Sequence, residues 1–519
     1  MARAPRAVEL DVTDVPGEAL LALAVCAPLV GAGVVARSTG LGARRVDAAR
    51  TLAWIAAASA VGALVAVAVG GPFALRVARV PALGTVGLLA DRLTVTLLVL
   101  VAGVGATVQS YSLRYLRGSP NLERLVGATS AVVCAMGVVC AAATFGEMVV
   151  AWVAAGATFA VAMGARRDLP GVRRSTRRTI AFLATGDAAL VVALVLVTDR
   201  VGPVDLGRAG GLQFAASSLG ALATPVAVLV VVAALARCAQ IPFGGWLPGT
   251  VSAPTPVSAL LHAGIVNGGG VLLIRLGVLA SGSGLAMALA LASAGAGAVV
   301  AALAVPRKPD VKGALVMSTM SQMGFMVAEC AVGAYLAAAV HLLGHAMYKA
   351  TLFLGSGSQV PRRGQAPHRP DRTWPAAGRL LVAVLATAAA ASAFWVIPGA
   401  HADRAAVVLL VFAAITVVTA AWAWSARAPR ALRVGVVSLA AVVVASAAYG
   451  LVVAVAGAWL APALPRAGGG SPAIWWLLAV AAAGGAAPRA LGSARARRWS
   501  TAVLTDIGRA PVEAVAGSR

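Results

Sequence analysis

Apolar stretches of about 18 to 24 residues recur along the whole chain, each long enough to cross a hydrocarbon core roughly 30 Å thick. About fifteen can be marked: 18–36, 51–70, 93–113, 125–144, 147–164, 178–198, 218–238, 256–279, 283–305, 313–331, 335–356, 379–398, 404–424, 433–459 and 472–487. Backbone facing lipid must satisfy its own hydrogen bonds, so helices are expected. The stretches lack the ten-residue alternation of an outer-membrane barrel. Only 12% of residues are charged, roughly half of what a globular domain carries. The expected fold is an all-α polytopic membrane protein with about 14–15 transmembrane helices.

Pro242, Pro248, Pro254 and Pro256 follow Arg237 within twenty residues. Proline removes a backbone donor and clashes with the preceding turn, so a broken helix is expected near 240–256. At membrane depth such a break is tolerated only where it is buried in protein or lines a cavity. The chain then divides into N-terminal helices (1–90), a polar-centred core (91–360), plainer C-terminal helices (361–487) and a basic tail (488–519). A Pro- and Arg-rich connection, 361–375, separates the second and third parts.

The net charge of +24 raises the question of nucleic acid, and its distribution answers it. Arginines crowd into alternate connections, around residues 37–50, 114–124, 166–178, 307–312, 362–372, 427–433 and 489–498, with Arg76, Arg79, Arg200 and Arg208 as exceptions. This is the positive-inside pattern of an inner-membrane protein, with the N-terminus outside and the tail in the cytoplasm. No nucleic-acid partner is expected. The five cysteines lie in or beside apolar spans without metal-like spacing and read as small core residues. The first twenty residues are mixed and acidic, unlike a cleavable signal peptide.

Three of the 42 basic residues are lysine (Lys308, Lys312 and Lys349), and the other 39 are arginine. Arginine is effectively always charged, whereas a desolvated lysine can lose its proton near neutral pH. Lys349 lies well inside an apolar stretch, where it either acts as a proton carrier or snorkels to an interface. His341, His345 and Lys349 follow one another at i, i+4 and i+8, on one helical face. Histidine changes charge near physiological pH, so the stripe can form a relay. The alternative is a pair of core histidines bonded to backbone or hydroxyl groups. His262 follows the expected break, and Glu147, Asp187 and Glu329 lie in or at the edge of other spans. Ionisable residues in a membrane cost at least roughly 2.5–3.5 kcal/mol each, which makes each a functional candidate. Ser318, Ser321 and Gln322 add polar groups that can hold water.

Two stretches carry a resemblance: RCAQIPFGGWLPGTVSAPTPVSALLHAGIVNGGGVLLIR, residues 237–275, and DVKGALVMSTMSQMGFMVAECAVGAYLAAAVHLLGHAMYKATLFLGSGS, residues 310–358. They resemble the antiporter-like subunits of respiratory complex I and of multisubunit Na⁺/H⁺ antiporters. The HAG-x-x-N-x-G-x-x-LLIR run and the ECAVGAY run are similar to the DabB branch, the membrane subunit of an inorganic-carbon accumulation complex. In that branch the partner, DabA, is a zinc-binding cytoplasmic subunit akin to a carbonic anhydrase.

The resemblance implies a proton path through Lys349, His345, His341, His262, Lys312 and Glu329, with Arg237, Asp187 and Glu147 as gating or counter-charge residues. Lys349 matches the family's central lysine. Arg237 stands where complex I subunits have a lysine, Val153 where they have a glutamate, and Gly249 where they have an aspartate. These departures leave the second half, around Lys349, as the expected conducting part. The implied protein is an ion-conducting transporter subunit rather than an enzyme. It holds no cofactor or metal of its own and moves protons or sodium ions in a lipid bilayer. The rival reading is a complex I subunit or a cation/proton antiporter subunit.

Overall fold

The computed structural model describes residues 15–36, 42–166, 171–208, 210–356, 375–395 and 432–465. The expected spans 404–424 and 472–487, almost all of the connection 361–375 and the tail 488–519 lie outside the described residues. Among the described residues, ten helical stretches are long and apolar enough to cross a membrane. The chain separates into two compact units, one of residues 1–165 and 197–215, the other of 166–196 and 216–519.

The first unit holds α1 (Val15–Ala36), α2 (Gly42–Gly70), α3 (Arg92–Tyr115), α4 (Leu122–Ala141) and α5 (Phe145–Met163). Two of its helices, α3 and α5, are started by side chains that accept from a free amide of the first turn. Asp91 accepts from the Thr94 amide at 2.7 Å to open α3, and Thr144 accepts from the Glu147 amide at 3.1 Å to open α5. Small residues let the helices approach. A Cβ on Gly105 of α3 would stand 2.7 Å from Val133 of α4.

Between α2 and α3 the chain forms an antiparallel hairpin, β1 (Phe73–Val80) with β2 (Gly84–Ala90), in the register Phe73↔Ala90 to Val80↔Gly84. This hairpin adds to the expected all-helical plan. Gly84 takes φ +85° at the turn, which a residue with a Cβ adopts only under strain. Arg76 and Arg79, two exceptions to the positive-inside count, sit on the exposed part of β1. Glu147 belongs to this region. Its Oε2 accepts from the backbone amides of Gly87 on β2 at 3.2 Å and Ala143 at 3.1 Å. The carboxylate thus ties the hairpin to the start of α5.

The second unit begins with most of α6 (Val172–Val201) and continues, past the short α7 (Gly211–Ser218), with α8 (Ala223–Arg237). As the prolines require, α geometry stops at Arg237, and a 3-10 segment, Phe243–Ser252, follows. Ala239 takes a left-handed φ of 53° at the break. Helix resumes as α9 (Thr255–Ala263), a second short break lies at Ile265–Asn267, and α10 (Gly268–Arg275) completes the span. The sequence reads 256–279 as one helix, but the chain kinks at Gly264 and starts again on three consecutive glycines. Those glycines allow close approach: a Cβ on Gly269 would meet the Ala234 carbonyl of α8 at 2.5 Å, and one on Gly270 would meet Met326 at 2.5 Å. The unit continues with α11 (Gly277–Ser281), α12 (Gly284–Ala304), α13 (Val311–Ala331), α14 (Tyr335–Gly355), α15 (Ala376–Trp395) and α16 (Leu432–Leu460). Broad apolar faces, such as Leu380, Leu381, Val384 and Leu385 on α15 and Val436, Val437 and Val444 on α16, are exposed, as lipid-facing helices require.

Candidate functional site: a buried polar ladder between α13 and α14

Helices α13 and α14 run antiparallel, joined by a tight turn at Val332–Ala334 in which Gly333 has φ +80°. Asp310 caps the start of α13, its carboxylate accepting from the Gly313 amide at 2.6 Å. Ser318, Gln322 and Glu329 are spaced i, i+4 and i+11 and so share one face of α13. The antiparallel pairing sets that face against the His341, His345 and Lys349 face of α14. Two polar stripes therefore meet in an apolar surrounding.

Lys349 is 1% exposed. Its Nζ donates to Ser318 Oγ at 2.8 Å and to the Leu315 carbonyl at 3.4 Å. The ammonium turns inward, which removes the snorkelling alternative. His341 is held at both ring nitrogens by side chains, Nδ1 lying 2.9 Å from Glu329 Oε2 and Nε2 2.9 Å from Gln322 Oε1. His341 is thus bonded by side chains, whereas His345 has a hydrogen bond to the backbone of His262, as the core-histidine alternative expects. A ring flanked by two acceptors is fully hydrogen-bonded when both nitrogens carry hydrogen. Turning the Gln322 amide offers a donor instead and satisfies the neutral ring. Both ring nitrogens can therefore be hydrogen-bonded in either case.

His345 lies between the other two, its ring centroid 6.1 Å from that of His341. His345 Nε2 and Glu329 Oε1 are buried and have no hydrogen-bond partner among the described residues. Neither ring nitrogen of His262 has one. His262, on α9 and fully buried, stacks face to face on Phe353 of α14, with centroids 4.3 Å apart and planes 3° apart. A buried imidazole without a partner is costly.

The remaining candidates fall elsewhere. Lys312 Nζ donates to the Ala253 carbonyl at 3.1 Å, tying the start of α13 to the segment before α9. Arg237, 2% exposed at the end of α8, pairs through Nη2 with Asp187 Oδ1 of α6 at 2.8 Å. Glu147, in the first unit, serves the hairpin amides as described. Trp152 is buried and Val153, the position of the family glutamate, is 37% exposed on α5. Gln240, inside the 237–275 stretch but not among the expected site residues, organises the break. Its Nε2 donates to the Cys238 carbonyl at 2.8 Å and, across to α13, to the Met320 carbonyl at 3.0 Å. Among the described residues, no three His, Cys, Asp or Glu side chains converge as metal ligands would. The titratable groups form a row instead.

Residues 142–368, which contain every one of these site residues, match the family described as NADH:quinone oxidoreductase/Mrp antiporter, TM. Residues 84–125 match the N-terminus of chain 5 of NADH-ubiquinone oxidoreductase, complex I. Over these residues the chain is similar to antiporter-like membrane subunits.

Its antiporter-like relatives include a probable inorganic carbon transporter subunit, DabB1, of Halothiobacillus neapolitanus, 32% identical over 301 residues, 56% of this chain and 54% of the relative. NADH-quinone oxidoreductase subunit L of Mycobacterium tuberculosis is 31% identical over 354 residues, 65% of this chain and 55% of the relative. The chain thus spans about half the length of the curated relatives it matches. Among solved antiporter-like structures, the Mrp complex of Dietzia sp. superposes with a TM-score of 0.61 at 26% identity, over 96% of this chain and 60% of that one.

Proposed function

We propose that this chain is the proton-conducting membrane subunit of an energy-coupled inorganic carbon (CO2 or bicarbonate) accumulation complex in a bacterial inner membrane. The ladder between α13 and α14 carries the proposal, because its charges have no packing purpose that apolar side chains would not serve better. A proton reaching the Lys349 amine makes an ammonium whose hydrogens find the Ser318 hydroxyl and the Leu315 carbonyl. His345 lies one turn along, and beyond it His341 exchanges a proton against Glu329 while Gln322 turns to match. His262, unpartnered beside Phe353 of the same helix, extends the row. Proton, or sodium, movement along this row drives a DabA-type cytoplasmic partner, which holds the zinc and hydrates CO2. The similarity to proteins named as inorganic carbon transporter subunits supports this choice of cargo.

Replacing Lys349 by alanine should abolish proton-coupled uptake while leaving the chain inserted; uptake at the wild-type rate would remove the ladder from the mechanism. Co-expression with the partner should restore growth of a carbonic-anhydrase-deficient bacterium in ordinary air. The longer alignment with subunit L keeps a second reading, a complex I or cation/proton antiporter subunit. An assembled complex that gives no rescue but exchanges cations for protons in vesicles would favour it.

A further inference from the structure

The second break, between α9 and α10, frees backbone carbonyls inside the protein, because the last carbonyls of a helix have no partner of their own. Each must find one elsewhere. The Leu260 carbonyl accepts from the Gly264 amide at 2.9 Å, and the Gly264 carbonyl from the Asn267 amide at 3.0 Å. The Ala263 carbonyl accepts from Asn267 Nδ2 at 2.8 Å, and the Val266 carbonyl from Cys238 Sγ at 3.2 Å. His262 is next to last in α9, so its amide lies inside the helix and the group it offers is its carbonyl. That carbonyl goes to a titratable ring, His345 of α14. Of the two ring nitrogens of His345, Nε2 has no partner among the described residues, so the bond is made by Nδ1. A carbonyl only accepts. The nitrogen facing it must carry the hydrogen, and a neutral imidazole then keeps its lone pair at the other end, on Nε2. The place of the carbonyl depends on Gly264. A Cβ there would stand 2.9 Å from the Leu260 carbonyl, so a larger residue forces the bend to shift and moves His262 with it.

We infer that the second break is a tautomer lock: it keeps the hydrogen of neutral His345 on Nδ1, leaves Nε2 as the atom that takes and returns protons, and relies on Gly264 as a positioning residue. The use of the lock in conduction rests on the reading of the preceding section; the tautomer itself does not. His341 and Lys349 stand one turn to either side of His345 on the same face of α14. When a neighbouring donor gives up its hydrogen, the donor's bond breaks, an Nε2–H bond forms and the ring gains one positive charge. On release the same Nε2–H bond breaks, and Nδ1 keeps its hydrogen throughout. Loss of the Nδ1 hydrogen instead would set a lone pair against the carbonyl oxygen and strand two buried acceptors. The ring therefore does not take a proton at one nitrogen and pass it out at the other. Charge advances only when giver and receiver reach Nε2 in turn, which makes His345 the gated step of the ladder.

The test is nitrogen NMR of the membrane complex in nanodiscs, grown with isotopically labelled histidine. The chain has five histidines, so the spectrum lost in His345→Gln assigns this ring. At a pH where the ring is neutral, Nδ1 should carry the hydrogen and Nε2 should be bare. A hydrogen on Nε2, or an equal mixture, would overturn the lock. Gly264→Ala should split the signal between the two tautomers, and proton flux in liposomes should fall with the share of the Nδ1–H form. A Gly264→Ala complex with an unmixed Nδ1–H ring and wild-type flux removes the positioning role. Lys349→Ala, run alongside, separates the two readings. Full flux in that variant with Nδ1–H in the wild type defeats conduction and leaves the lock standing; lost flux with the hydrogen on Nε2 defeats the lock alone.

Discussion

Replacing Gly324 by alanine tests whether α12 and α13 are as close as the ladder needs. The added Cβ would lie 2.5 Å from the Ala294 carbonyl, 2.6 Å from Gln240 Oε1 and 3.0 Å from the Ala298 amide. Two of these obstacles are backbone of α12. Carbon contacts relax near 3.5 Å, so the helices must part by close to 1 Å, or Gln240 must leave its place. Overpacking of this kind costs about 1–3 kcal/mol. If Gln240 loses its bonds to the Cys238 and Met320 carbonyls, a further 1–3 kcal/mol of unsatisfied buried polar groups is added. Gly324 lies on the far side of α13 from Ser318, Gln322 and Glu329, so moving α13 off α12 presses that row toward α14, and proton flux per assembled complex should fall along with thermal stability. The assay is thermal unfolding of the detergent-purified chain, followed by tryptophan fluorescence, with flux measured in liposomes. Gly344→Ala on α14 is the control, since a Cβ there meets nothing within 4 Å. It should be neutral, or stabilising by up to about 1 kcal/mol through helix propensity. A Gly324→Ala protein with wild-type melting and flux would refute the close α12–α13 contact and the positioning role given to Gln240.

Other replacements separate the parts of the molecule. Glu329→Gln keeps one acceptor near His341 Nδ1 but cannot take a charge, so flux should drop while the complex still assembles in size-exclusion chromatography. Ser318→Ala leaves the Leu315 carbonyl as the remaining acceptor for Lys349 and should impair flux less than Lys349→Ala in the same liposomes. Glu147→Ala strands the Gly87 amide, a cost of about 1–3 kcal/mol, and leaves the Ala143 amide only its 3.3 Å bond to the Gly87 carbonyl. It should lower the melting temperature, and limited proteolysis should cut first within 73–90.

The spans were legible because a 20-residue apolar run has few other uses; most of the described long helices follow the marked stretches, while 256–279 is divided among α9, α10 and α11 and the short α7 was not marked. The hairpin was not: its short apolar alternation, Phe73, Leu75 and Val77, lies between two spans and resembles a loop. The stripe His341, His345 and Lys349 could be read from spacing within one helix, and so could the break at the prolines. What faces that stripe could not. Ser318 and Gln322 stand out only as polar residues in an apolar run until the turn at Gly333 folds α13 back on α14. The same holds for Asp187 and Arg237, which are 50 residues apart and meet because Gly186 lets two helices touch. Gln240 lay within the recognised stretch 237–275, but its role was not legible, since it depends on carbonyls that only the broken backbone exposes.

The flat stack of His262 on Phe353 has a mechanical meaning. Phe353 is one turn beyond Lys349 on the same rod, so the short arm after the break is keyed to the lysine's helix like a tongue in a slot. An imidazole gripped across its face cannot swing to fetch or deliver cargo. Any hydrogen it handles must enter and leave in the plane of the ring, through its edges, and a shift of either arm must drag the other along.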